Sequence, residues 1–165
     1  MKTISTLFAT LLIAVIATEV DAAGCAPQQN SACQAANLAG ANLAGKNLFS
    51  SNFTNANISR ATLTDANLFK AKMAGSNLSG SVLHDTILYQ ADLSGADLSG
   101  TNLSEAHLEG ANLTGANLTD ANLTGAHLSS ALLAQATLCH TTMPDGLVNN
   151  SGCTAAAPSA AQALQ

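Results

Sequence analysis

Large apolar residues recur at every fifth position from Leu38 to Met143, with no insertion or deletion. Taking that residue as the centre of a unit gives 22 units, of which 18 are centred on Leu and the others on Phe53, Ile58, Met73 and Met143. Two residues before each centre stands Ala in 15 units, Ser or Thr in six, and Lys once, at Lys46. The other three positions are mostly Asn, Asp, Ser, Thr and Gly. Five steps of about 100° would spiral the centres around all sides of an α-helix. An odd period would throw them to alternate faces of a flat strand. The chain must therefore turn once per unit, returning the centre and the small residue before it to the inside. The remaining three side chains then point outward, where Asn, Asp, Gly and Ser suit tight turns.

Departures from this pattern carry a second period. Phe49, Phe69 and Tyr89 occupy one position in their units at a spacing of 20 residues, as do His107 and His127, and Asp65, Asp85 and Glu105. That spacing puts four units in one coil and stacks each set as a ladder up one wall. Such a rod has about five and a half coils and is about 25 Å long at the ~4.8 Å spacing of neighbouring strands.

The tandem A-N-L-x-x, as in Ala111-Asn112-Leu113-Thr114-Gly115, resembles the pentapeptide-repeat family over about two thirds of the chain. The resemblance implies an all-β fold, a right-handed quadrilateral β-helix with the centres and preceding small residues filling its interior. Thr141-Thr142-Met143-Pro144-Asp145-Gly146, followed by Asn149-Asn150-Ser151-Gly152-Cys153, is similar to the end of exported bacterial members. The family has no single activity, so function must be sought where this chain breaks its own repeat.

The first segment has the layout of a secretory signal: Lys2, an apolar run from Leu7 to Ala17, then small residues with cleavage expected after Ala22. That run of 11 residues is too short to span a bilayer. A lipidated Cys25 is the weaker alternative, because Glu19 and Asp21 crowd it. The expected organisation is a signal peptide at 1–22, an N-terminal cap at 23–35, the repeat at 36–145, a disulfide cap at 146–153 and a disordered Ala-rich tail at 154–165. Periplasmic or secreted localisation follows, with no membrane association after cleavage. Without the leader four basic and eight acidic side chains remain, a net charge of −4 that argues against a nucleic-acid partner.

Four cysteines in an exported chain point to two disulfides. A bond between the two ends of the rod would have to cross on the order of 20 Å, against a Cα limit of about 7 Å. The expected pairs are Cys25–Cys33 and Cys139–Cys153.

Phe49, Phe69 and Tyr89, with Ile87 beside Tyr89, form an outward apolar strip that is either a partner site or a self-stacking ladder. His107, Glu109 and His127 lie further along the same wall. Two imidazoles and one carboxylate with no supporting shell read as incidental surface residues, so neither a metal nor a cofactor is assigned. Asp65, Asp85 and Glu105 read as a solvated acidic ladder on another wall, interrupted by Gly125. On a third wall Ser59, Ser79, Ser99 and Thr119 line up beside Asn57, Asn77, Asp97 and Asn117. Lys46 is expected to face inward in the first full coil, its stem carrying the charge out through the open end.

No nucleophile elbow or glycine-rich phosphate loop occurs, and a rod filled with Leu and Ala leaves no substrate pocket. The sequence therefore supports a non-catalytic exported scaffold that contacts a protein partner or a second copy through its walls. The alternatives are a surface binder of ice or metal, or an acidic DNA mimic of the kind known among intracellular members.

Overall fold

A computed structural model describes residues 25–153. The expected signal peptide at 1–22 and the tail at 154–165 lie outside the described residues. Within them each unit has the same local course, a single pairing residue just before the centre and a turn just after it. Pairing residues bridge in parallel to the residue 20 positions on, from Ala32↔Asn52 through Asn122↔Thr142, so four pentapeptides make one coil. Each bridge is one residue long because a turn breaks the extended backbone on either side of it.

Three hydrogen bonds per unit join successive coils. Leu98 illustrates the first, its N–H donating to Asn117 O at 2.8 Å; Asn117 N–H donates to Ala96 O at 2.9 Å, and Gly100 N–H to Thr119 O at 2.8 Å. A fourth closes the turn, from Thr101 N–H to Leu98 O at 3.2 Å. The third residue of that turn is left-handed, the conformation that type II turns reserve for Gly or Asn. Every fifth residue from Asn30 to His140 adopts it, with φ between 53° and 71°, and 14 of these 23 are not glycine. A Cβ at Gly100 would meet nothing within 4 Å. Gly100→Val is therefore a test of backbone strain alone, and it should lower stability in urea unfolding by about 1–2 kcal/mol. Gly100→Asn should lower it less.

Asn before the centre has its own mechanism. All 13 Asn or Asp side chains at that position accept the backbone N–H two residues on, at 2.9–3.4 Å, which pins the entry to each turn.

The interior is the column of centres and their preceding small residues, with Leu48 through Leu123 at 0–1% exposure at the centres. Ser51, Ser76, Ser81, Thr86, Thr101 and Thr141 are buried in place of Ala, and each hydroxyl donates to a backbone carbonyl, as Thr101 Oγ1 does to Leu98 O at 2.6 Å. Lys46 keeps its backbone in register while its side chain is exposed, as expected of a stem that carries the charge out to solvent. Burial of an ammonium without a partner is costly, which favours its exit.

Ser31–Ala35, assigned to the N-terminal cap by sequence, already follow the course of a repeat unit. Ala32 bridges to Asn52, Cys33 fills a centre at 1% exposure, and Ala35 is left-handed with φ 54°. Cys33 pairs with Cys25, and Cys139 with Cys153, as expected. At the far end β1 (Thr141–Thr142) and β2 (Val148–Asn149) form an antiparallel hairpin around Pro144-Asp145-Gly146. Leu138 N–H donates to Ser151 O at 2.8 Å, which seats the segment after the hairpin on the last coil.

Candidate functional site

On one wall the pairing residues read Asn47, Asn67, Ile87, His107 and His127, joined by successive parallel bridges. Asn47 and Asn67 cap their turns, accepting the N–H of Phe49 and Phe69 at 3.2 and 3.0 Å. Ile87, His107 and His127 give that cap up on three successive rungs. The neighbouring column, two residues on, reads Phe49, Phe69, Tyr89 and Glu109. The cap is thus kept beside Phe49 and Phe69 and missing on the rungs that carry Tyr89, Glu109 and the two imidazoles.

The backbone ladder sets the ring spacing. Phe49 and Phe69 stack with centroids 5.5 Å apart and planes at 6°, Phe69 and Tyr89 at 5.4 Å and 6°. Lys70 Nζ lies 5.2 Å from the centroid of Phe69, a cation over a ring face. The stack stays partly open to solvent, with Tyr89 at 40% and Ile87 at 39% exposure. Phe69, Ile87, Tyr89, His107 and Glu109 line an open groove of about 370 Å³.

Beyond Tyr89 the wall changes chemistry. Glu109 Oε1 lies 3.6 Å from His107 Nδ1 and 3.4 Å from His127 Nδ1, and the two imidazoles meet edge to face at 4.9 Å. Glu109 Oε2 is buried and has no hydrogen-bond partner. Burial pushes the Glu109 carboxyl up, but its own backbone N–H and the His107 and His127 imidazoles outweigh this and hold it below the usual glutamate range.

Asp85 belongs to the column of the acidic ladder, yet its side chain reaches this wall. Its Oδ1 lies 3.8 Å from His107 Nε2. The left-handed fifth residue sits at a corner of the coil, so its side chain reaches the adjacent wall diagonally. Glu105, the last acid of the same ladder, folds against Gly125, where a Cβ would meet its Cδ at 2.5 Å. The acidic ladder is therefore divided between two sets of neighbours. The hydroxyl and amide wall is bonded to itself: Ser59 Oγ and Thr119 Oγ1 donate to Asn57 and Asn117 Oδ1 at 2.8 and 2.7 Å, and Asn117 Nδ2 donates to Asp97 at 3.1 Å.

The family model for pentapeptide repeats matches residues 31–68, 63–100 and 96–138. Among solved structures, a pentapeptide repeat protein from the Arabidopsis thaliana thylakoid lumen is 31% identical with a TM-score of 0.57, over 58% of this chain and 67% of that one. A pentapeptide repeat protein from the cyanobacterium Cyanothece is 42% identical with a TM-score of 0.48, over 48% of this chain and 54% of that one. HetL, a Nostoc pentapeptide repeat protein involved in heterocyst differentiation regulation, is 33% identical with a TM-score of 0.33, over 73% of this chain and 60% of that one. The chain thus spans little more than half the length of the two cyanobacterial proteins. No curated protein matches it. The family match and the thylakoid-lumen relative imply a right-handed quadrilateral β-helix, and no catalytic family is matched.

Proposed function

The chain belongs to the pentapeptide-repeat family, and from that premise we propose that it is a non-catalytic, exported scaffold whose aromatic wall contacts another protein. The observation that carries this reading is the partly exposed Phe49, Phe69 and Tyr89 stack with Ile87 at its side, opening onto the groove. A rod whose interior is filled by side chains has only its walls with which to act, and this wall is where aromatic side chains are spent on the outside. Stacked, half-open aromatic rings lose little conformational entropy on contact, which favours them as interface anchors.

Export is supported by the leader-like segment, by the two disulfides, and by a 31% identical relative in the thylakoid lumen. Periplasmic or secreted localisation is the reading these favour.

Replacing Phe49, Phe69 and Tyr89 together by Ser tests the contact. Phe49 and Phe69 are half-buried against each other and Tyr89 rather than in the core, so monomer stability should fall by about 1–3 kcal/mol, the worth of two stacked pairs. Association measured by sedimentation, with itself and with a periplasmic extract, should be lost, because interface energy concentrates in a few aromatic side chains. A large loss of stability with unchanged association would mean that the stack serves the fold.

A further inference from the structure

We propose that His107, Glu109 and His127 form a binding site for a divalent transition-metal ion, zinc above all. The chemistry of the donors comes first. Two imidazole nitrogens and one carboxylate oxygen are the ligand set of open zinc sites, in which water takes the fourth position. Borderline nitrogen donors on two of the three positions select against magnesium and calcium.

Geometry supplies what spacing in the sequence could not. Ligands held about 2.0–2.1 Å from one tetrahedral ion lie about 3.3–3.4 Å from each other. Glu109 Oε1 stands 3.6 Å from His107 Nδ1 and 3.4 Å from His127 Nδ1. All three ligand atoms fall within 4.8 Å of one another. The arrangement already approaches the shell of an ion, and the outermost member, His127 at 54% side-chain exposure, is free to complete it by rotating about its side-chain bonds.

A supporting carboxylate also stands within reach. When Nδ1 of His107 binds an ion, its ring proton resides on Nε2, the nitrogen that faces Asp85 Oδ1 at 3.8 Å. A carboxylate behind a ligating imidazole orients the ring and raises its basicity. The rigid ladder matters equally, because His107 and His127 are bridged backbone to backbone, which fixes the spacing of the two donors before any ion arrives. The site does not rest on the protein-contact reading: it uses none of the aromatic rings.

The test is calorimetric titration of the full chain with Zn²⁺ at pH 7.5 without reductant. Omitting reductant keeps Cys139 and Cys153 bonded, since their thiols beside His140 would otherwise compete for the ion. One ion should bind per chain with a roughly micromolar Kd. His107→Ala or His127→Ala should weaken it by about 100-fold or more, and Glu109→Gln and Asp85→Asn each by about 10–100-fold. His140→Ala, at the exposed pair with Asp120, should leave it unchanged. A His107→Ala, His127→Ala double variant that binds like the parent would overturn the proposal, as would absence of binding up to about 1 mM Zn²⁺. A readout free of variants is the imidazole NMR spectrum of the parent chain. Zn²⁺ should move the signals of His107 and His127 and spare those of His84 and His140; the reverse pattern would sink the assignment.

Discussion

Leu98→Ala is expected to lower stability by about 2–5 kcal/mol, whereas the adjacent Ser99→Ala should change it by less than about 0.5 kcal/mol. Leu98 is fully buried, and the centres one coil below and above it, Leu78 and Leu118, are buried equally. Its N–H and carbonyl are committed to Asn117 and Thr101. The walls of a coil are held by bonds to both neighbouring coils, so they cannot collapse into the space that a lost isobutyl group leaves. Ser99, by contrast, bonds through its backbone, its N–H donating to Asp97 Oδ1 at 3.0 Å and its carbonyl accepting from Gly80 N–H at 2.8 Å, and both bonds survive removal of the hydroxyl. Denaturant unfolding of the two variants side by side reads the difference. Equal costs would mean that the inward and outward assignment is wrong.

The second large effect is expected at the C-terminal cap. Replacing Cys139 and Cys153 by Ser opens a loop with a sequence separation of 14 and should cost about 3 kcal/mol. The bond ties down the segment after the β1–β2 hairpin, whose Ser151 carbonyl accepts the N–H of Leu138. Releasing it would bare the N–H and C=O groups of the last coil, a template for strand pairing between molecules. Thermal melting with light scattering should therefore report both a lower transition and earlier aggregation. A variant that melts with the parent and stays monomeric would assign the capping to the hairpin alone.

Much of the architecture was legible because the repeat is read out one residue at a time. A period of five excluded helix and flat strand, and Phe49, Phe69 and Tyr89 disclosed the 20-residue coil that the bridges display. The disulfide pairs followed from the length of the rod. Less legible was the left-handed fifth position, because Arg60, Lys70 and Gln90 hold it as Gly does elsewhere, and such residues give no turn signal. Cys33 was read for its sulfur, which hid its place as a centre. The approach of Asp85 to His107 was not legible, because spacing gives the column of a residue but not the diagonal reach of a side chain at a corner. Sequence placed the aromatic strip and His107, Glu109 and His127 on one wall, and the groove unites Phe69, Tyr89 and Ile87 with His107 and Glu109. It could not reveal which ring nitrogens face Glu109, since that depends on side-chain torsions.

The pairing of each residue with the one 20 positions on makes the wall of any side chain a matter of phase. Removing or adding a single pentapeptide leaves every centre inside and every turn intact, but it carries all downstream side chains a quarter-turn around the rod. A one-unit deletion between Tyr89 and His107 would preserve the core while parting the imidazoles from the aromatic strip. Only changes of four units keep the faces aligned. The fold tolerates length variation in steps of five residues, while the surface recognises only steps of twenty, so fold and function in this chain are inherited with different quanta.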